Sequence, residues 1–304
     1  VARAEGAVRA ADGGSPFQAW LDGALRRVAP ISPWATQLLS MSPDADGNDR
    51  WLRDLIASDP ALVARVLGTA NSRVFNPQGH PVNEVGHAIR RLGTREVWRV
   101  ATVLALGASS RIRPELRSAK RALWMHSFTA AHASRRVIEC SNRAGLDPDR
   151  AYLAALLHDI GLMVLLSVEP QRCLDMLARV GDPAIGFSRE VELEVGLPPH
   201  AQIGAEVCRR WGLPEDIVVL VGGHGVVHPL DHPVALQGLA AAMALGHQVA
   251  EREIPTPGLH HRERELDDAP LLRTFLLLPE ARLGQVHQSV REAAPRIAQI
   301  AESA

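Results

Sequence analysis

The stretch LLHDIGL, residues 156–162, sets His158 beside Asp159 inside an otherwise apolar run that reads as one helix, YLAALLHDIGLMVLL. An ionised carboxylate among apolar neighbours is costly unless it is paired or bound to a cation, so this aspartate calls for a partner. An imidazole nitrogen next to a carboxylate oxygen can begin a mixed-ligand divalent site, suited to Mn, Fe or Mg more than to a structural zinc. On phosphate esters such an ion lowers the pKa of a bound water and polarises the phosphoryl oxygen, which is hydrolytic chemistry. The plainer reading is that Asp159 caps or buttresses a nearby helix while His158 hydrogen-bonds to it.

The chain holds 13 histidines, so each further candidate needs its own argument. His126 and His132 lie six residues apart in LWMHSFTAAHASRRV, on different faces of one helix, so at most one of them meets His158. His200 opens the helix HAQIGAEVCRRW, His224 sits in the glycine-rich exit VGGHG, and His247 belongs to the apolar helix ALGHQVAE. Taken singly, each is more often a hydrogen-bonded structural residue than a ligand. As a set they match a helical bundle whose ligands project inward from several helices. His260 and His261 fall in REIPTPGLHHRERELDDAP, residues 252–270, which reads as an exposed loop with both rings solvated.

The elements that would position these groups are helical. Aromatic residues make up 4% of the 304, with a single Tyr, and β-branched alternation is scarce while Ala, Leu, Arg and Val recur at helical spacing. The composition predicts an all-α fold. Residues 1–20, rich in Ala, Gly and Ser, read as a flexible lead-in. In SDPALVARVLGTANS, Asp59 is placed to cap, Pro60 fits the first helical position, and Val63, Val66, Leu67 and Ala70 form one apolar stripe. VNEVGHAIRRLGTREVWRVATVLALG reads as two helices broken at Gly93, with Thr94 capping the second. That corner has the outline of a helix-turn-helix, in which Arg90, Arg91, Arg95 and Arg99 would touch nucleic-acid phosphates. Plain helical hairpins are far commoner, because every compact bundle needs such corners. The polar stretch at 109–120 separates the units, giving an N-terminal subdomain over 21–118, a bundle over 119–250, and a loop with closing helices over 251–304.

Hydrophobic residues at 46% and charged residues at 22% supply an ordinary core and exclude wholesale disorder. Net charge is −1, unevenly placed: residues 1–150 hold 21 Arg and Lys against 14 Asp and Glu, the remainder 12 against 20. The basic first half permits an acidic partner, although scattered solvated arginines explain it as well. Cys140, Cys173 and Cys208 are far apart and form no C-x-x-C pair, so neither a zinc knuckle nor a disulfide framework is expected. The apolar runs at 100–108 and 236–246 are shorter than the roughly 20 residues of a membrane span, and no signal-peptide pattern opens the sequence. A cytoplasmic protein without membrane contact is the expectation.

The order of motifs is similar to that of the HDOD family, bacterial signalling-related domains that are divergent relatives of the HD and HD-GYP phosphohydrolases. RVAPISPWATQLLSM, LIASDPALVARVLGTANS and AIRRLGTREVWRVATVLAL resemble the family's successive N-terminal helices, with DPAL…ANS and the AI..LG turn its more specific marks. LWMHS, LAALLHDIGLMVLL, HAQIGAEVCRRWGLPEDI and GGHG follow in the family's order, so the resemblance runs from about residue 24 to the end. It implies an N-terminal helical subdomain packed on a multi-helix HD-like bundle, in which His126 matches the first histidine of the HD pattern, His158 and Asp159 match the HD pair, and His200 and His224 fall where HD-GYP enzymes place further ligands.

Two positions depart from the catalytic relatives. A lysine that usually follows HDIG, where it can hold a phosphate, is Leu162 here, and the terminal aspartate of the pattern aligns with His247. The first change removes a phosphate clamp and the second a negative metal ligand. The leading expectation is therefore a non-catalytic signalling module that works by docking another signalling protein or a nucleotide-type small ligand, as the resemblance implies. The alternative is a metal-dependent phosphohydrolase acting on cyclic dinucleotides, with Fe, Mn or Mg on His126, His158, Asp159 and His247, and a second ion or substrate at His200 and His224. Nucleic-acid binding through the arginine hairpin is the third reading.

Overall fold

Pro16, Pro33, Pro60, Pro148 and Pro170 each occupy the first position of a helix, where a missing N–H removes no hydrogen bond and the fixed φ already suits the turn. The computed structural model describes residues 16–27, 33–40, 48–107, 112–180, 189–225, 227–255 and 269–303. Among these residues all regular structure is helical. His260 and His261 lie outside them, as does most of the stretch expected to be a loop.

The N-terminal unit is built from α1 (Pro16–Arg27), α2 (Pro33–Ser40), α3 (Asn48–Ala57), α4 (Pro60–Ala70), α5 (Val85–Leu92) and α6 (Thr94–Gly107). Asp59 caps α4, its Oδ1 accepting from the Leu62 amide at 3.2 Å, and Val66 and Ala70 are buried while Val63 and Leu67 are half-buried. Asn71 follows this helix and clamps the chain eleven residues on: its side chain donates to the Val82 carbonyl at 2.7 Å and accepts from the Val82 amide at 2.8 Å. Gly93 makes the corner between α5 and α6 with φ 87°, a backbone state that disfavours any side chain. Thr94 is itself the first residue of α6, so the residue that precedes this helix is Gly93 and not the threonine expected as its cap. Trp98 is buried on α6 and donates to the Leu38 carbonyl of α2 at 2.9 Å.

The second unit comprises α7 (Arg117–Cys140), α8 (Pro148–Leu157), α9 (Ile160–Val168), α10 (Pro170–Val180), α11 (Arg189–Glu194), α12 (His200–Arg210), α13 (Glu215–Gly223) and α14 (Gln237–Glu253). Two closing helices, α15 (Ala269–Phe275) and α16 (Glu280–Ser303), follow, and α16 packs on α7 while touching α4 and α6. The long helix α7 forms the spine, lying against α8, α14 and α16. The two units meet where Trp98 lies 5.9 Å from the Tyr152 ring and where Trp20 donates to Glu169 at 3.2 Å.

Three expectations need correction. The lead-in does not extend to residue 20, because α1 begins at Pro16. The HD pair does not sit within one continuous helix: α8 ends at Leu157 and α9 starts at Ile160. Nor are the runs at 100–108 and 236–246 the longest apolar stretches: Pro148–Val168, 21 residues, is long and apolar enough to cross a membrane, yet it is almost wholly buried against the rest of the chain. Here it is the core of the bundle, with Tyr152, Leu156, Leu157 and Leu165 buried.

Candidate metal centre

The interruption between α8 and α9 gives the HD pair its geometry. Asp159 stands at φ −100°, ψ 13°, between the helices, and its carbonyl accepts from Leu162 N at 2.9 Å to start α9. Gly161 explains the glycine of HDIG. A Cβ there would lie 2.0 Å from the His200 carbonyl oxygen, so only glycine lets α9 press against the start of α12. Gly204 on α12 completes the approach from the other side: a Cβ there would lie 3.0 Å from the Val221 side chain and 3.5 Å from the Gly161 nitrogen. A second close approach acts on α14, where a Cβ on Gly246 would lie 2.5 Å from the Ser134 amide nitrogen of α7, and this brings the adjacent His247 to the same core.

These contacts gather six side chains from α7, the α8–α9 break, α12, the end of α13, and α14. His126, His158 and His247 place one ligand atom each within 4.8 Å of one another, and Asp159, His200 and His224 form a second group on the same criterion. Asp159 joins them. Its Oδ2 lies 3.1 Å from His158 Nε2 and 3.9 Å from His126 Nε2, while its Oδ1 lies 3.3 Å from His200 Nε2 and 3.5 Å from His224 Nε2. The six side chains are 0–10% exposed. His132 does not join them: it turns toward α16, with Nε2 2.9 Å from Ser289 Oγ.

The ring orientations are set from behind. His158 Nδ1 lies 2.6 Å from the Ala155 carbonyl and His224 Nδ1 lies 2.6 Å from the Val221 carbonyl, so each Nδ1 carries the proton. In the neutral ring that leaves Nε2 with its lone pair pointing toward Asp159, which is the form that binds metal. His200 is oriented by Glu192, whose Oε1 accepts from the ring Nδ1 at 2.8 Å and from the backbone amide at 3.1 Å. Glu192 is wholly buried.

With both rings neutral, acceptors would converge with acceptors: His200 Nε2 and His224 Nε2 are 2.9 Å apart, and both face Asp159 Oδ1. Only a proton or a cation relieves that arrangement. Burial disfavours a charged His200, but Glu192 and Asp159 outweigh it and lift its pKa to about 10. Burial lowers that of His224 to about 4, with the positive character of His200 and His158 adding to the effect against Asp159. Ligand atoms bound to one ion at roughly 2.1 Å are about 3.0 to 3.4 Å from each other in octahedral or tetrahedral geometry. The separations in the second group, 2.9, 3.3 and 3.5 Å, fit that requirement. The donor set therefore suits a divalent ion.

Two carboxylates escaped the sequence reading. Glu192 sits eight residues before His200 in a short polar helix, where nothing in the pattern separates it from its acidic neighbours. Glu251 lies one turn beyond His247, with Oε1 3.6 Å from His247 Nε2 and a side chain 29% exposed, and its i,i+4 spacing was a readable signal. Leu162 is buried in the apolar core and supplies no charge. The thiols of Cys173 and Cys208 are pushed up to about 12 by burial, which makes them poor nucleophiles.

The four hairpin arginines are not gathered on one face. Arg91 holds the preceding loop through Asn76 Oδ1 at 2.6 Å, and Arg90 is exposed. Arg95 and Arg99 turn toward the bundle, Arg95 3.7 Å from Asp149 and Arg99 5.1 Å from the centre of the Tyr152 ring.

Fold and site together define an all-α bundle of the HD type with clustered histidine and aspartate donors. The HDOD domain family matches residues 28–226, and the chain belongs to that family. Among solved structures it is similar to an HDOD domain protein of unknown function from Geobacter sulfurreducens, with 21% identity, a TM-score of 0.69 and coverage of 92% of this chain and 97% of that one. A candidate signal transduction protein from Marinobacter aquaeolei VT8 gives 21% identity and a TM-score of 0.70 over 96% of this chain and 62% of that chain. A candidate phosphohydrolase from Shewanella amazonensis SB2B gives 21% and 0.63 over 93% and 97%. An uncharacterised protein of Treponema pallidum is 24% identical over 220 residues, 68% of this chain, which spans only 39% of that protein's length.

Proposed function

We propose that this protein is a cytoplasmic bacterial signalling module whose bundle holds divalent metal as a fixed part of its structure, and which works by docking a signalling protein or a nucleotide-type ligand. The observation that supports this is the enclosure of the donors. Five histidine side chains gather around Asp159, all six residues being no more than 10% exposed, which leaves the ligands little contact with bulk solvent. Where hydrolytic relatives carry a lysine after HDIG, Leu162 is packed in the core. Phosphoryl transfer depends on preorganised positive charge around the transferred group, and this position offers none. Five imidazoles to one carboxylate favour Fe or Mn over Mg, which prefers oxygen donors.

A specific observation supports the hydrolytic reading as the second: Asp159 presents one oxygen to each donor group, as a carboxylate bridging two ions would. In that reading His126, His158 and His247 would hold one ion and His200 and His224 the other, with Asp159 available to both groups. Bound metal would supply an acidified water and charge neutralisation, while Glu192 would keep His200 in its ligand orientation. Incubation of the iron- or manganese-loaded protein with cyclic dinucleotides and with a generic phosphodiester separates the readings. We expect no turnover above that of Asp159→Ala. Turnover that vanishes in Asp159→Ala would replace the docking reading with the hydrolytic one.

A further inference from the structure

Away from the metal centre, a cavity of about 300 Å³ opens where α6 meets α7. Arg95 and Arg99 line it from α6, Arg135 and Arg136 from α7, and Glu96 and Glu139 are the acidic members of the wall. The carboxylates are shared thinly. Glu139 alone serves both Arg135, at 2.6 Å, and Arg136, while Glu96 serves Arg99 at 3.0 Å. Asp149, just behind, stands 3.7 Å from both Arg95 and Arg135, beyond hydrogen-bond range. Burial also weakens its charge, raising the carboxyl to about 6 against the pull of Arg99.

Arg99 Nε, Arg135 NH1 and Arg136 Nε are shielded from solvent and make no hydrogen bond within the described structure, and Arg135 is only 4% exposed. A guanidinium N–H left unmade in a buried setting is costly, and such groups are rarely left so without reason. Planar forks with spare donors around a positively charged hollow match the geometry of phosphate oxygens, which accept in pairs from arginine. We propose that this cleft binds the phosphoryl group of a small phosphomonoester. The site needs no metal and stands apart from the reading of the histidine cluster. Because its walls come from both units, an occupant would hold α6 to α7, the helix that also carries His126.

Calorimetric titration of the full chain, stripped of metal with chelator, with inorganic phosphate and phenyl phosphate tests this, with circular dichroism confirming that each variant is folded. One saturable site is expected, weakened at least about tenfold by Arg99→Gln and by Arg136→Gln, each of which removes a charged hydrogen-bond fork. Arg99→Lys should also weaken it, because the planar fork is lost while charge stays. Glu139→Gln releases two arginines and should tighten binding, a result that a purely structural ion-pair network would not give. Absence of saturable binding, affinity unchanged in folded Arg99→Gln, or weaker binding in Glu139→Gln would overturn the proposal.

Discussion

Glu192 and His200 form a buried pair in which one carboxylate oxygen takes hydrogen bonds from both the ring Nδ1 and the backbone amide of the same histidine, at 2.8 and 3.1 Å. The carboxylate therefore decides which nitrogen of His200 faces Asp159. Outer partners of this kind typically account for 10- to 100-fold in metal affinity. Glu192→Ala should weaken metal binding by roughly that factor, and Glu192→Gln, which can still accept a hydrogen bond but carries no charge, by less. Competition with a chromophoric chelator measures both. Equal affinity in all three proteins would mean that the pair only caps α12.

Gly161 and Gly246 set the helix spacing on which the donors depend. Overpacking a tight contact costs roughly 1–3 kcal/mol, occasionally more, and here the obstacles are backbone atoms that cannot swing away. Gly161→Ala should lower the thermal midpoint strongly, and Gly246→Ala should do the same. Gly68, inside α4 with open space around its added Cβ, supplies the contrast: Gly68→Ala should stabilise by up to about 1 kcal/mol. Thermal denaturation of the three variants reads the difference, and equal effects would contradict the packing argument.

Much of this arrangement was legible in the chain. Pro60 behind Asp59 marks a helix start because the chemistry of a first turn is local. The rule that His126 and His132 point to different faces follows from the helical repeat alone, and only His126 meets His158. The break at Asp159 was hidden because LLHDIGLMVLL is apolar on both sides and carries no proline; the close approach of α12, a tertiary contact, accompanies it. Glu192 was hidden for a similar reason: it is an acidic residue in an acidic segment, and folding alone sets it behind His200.

His132 gives a pH signal. Burial, reinforced by Arg99 and Arg136, lowers its pKa to about 4, below the unfolded value of 6.5. The unfolded chain then binds the proton more readily, so stability is full above about pH 6.5 and falls as pH drops toward 4. The loss from this residue is at most about 3–4 kcal/mol at one pKa unit per 1.36 kcal/mol. Urea melts at pH 7 and pH 4.5 should show a smaller decrease in His132→Gln, whose amide can still reach Ser289. An unchanged decrease would assign the acid sensitivity to other groups.

Glu251 extends the first donor group. It stands 3.6 Å from His247 Nε2 and brings negative charge one turn from where the HD pattern has its aspartate. Glu251→Gln should weaken metal retention by the His126, His158 and His247 group. His247→Asp should shift preference toward Mg or Mn, because it exchanges an imidazole for an oxygen donor. Metal titrations with Fe, Mn and Mg in parallel would reveal the shift, and an unaltered order of preference would mean that His247 is not a ligand.

The central claim is that one carboxylate organises both donor groups around divalent metal. Elemental analysis of protein purified without chelator, compared with Asp159→Asn, addresses it most directly. The account predicts stoichiometric iron or manganese in the native chain, and loss of metal from both groups in the variant although all five histidines remain. Native protein that is folded yet carries no metal and takes none up on addition of iron or manganese would contradict it.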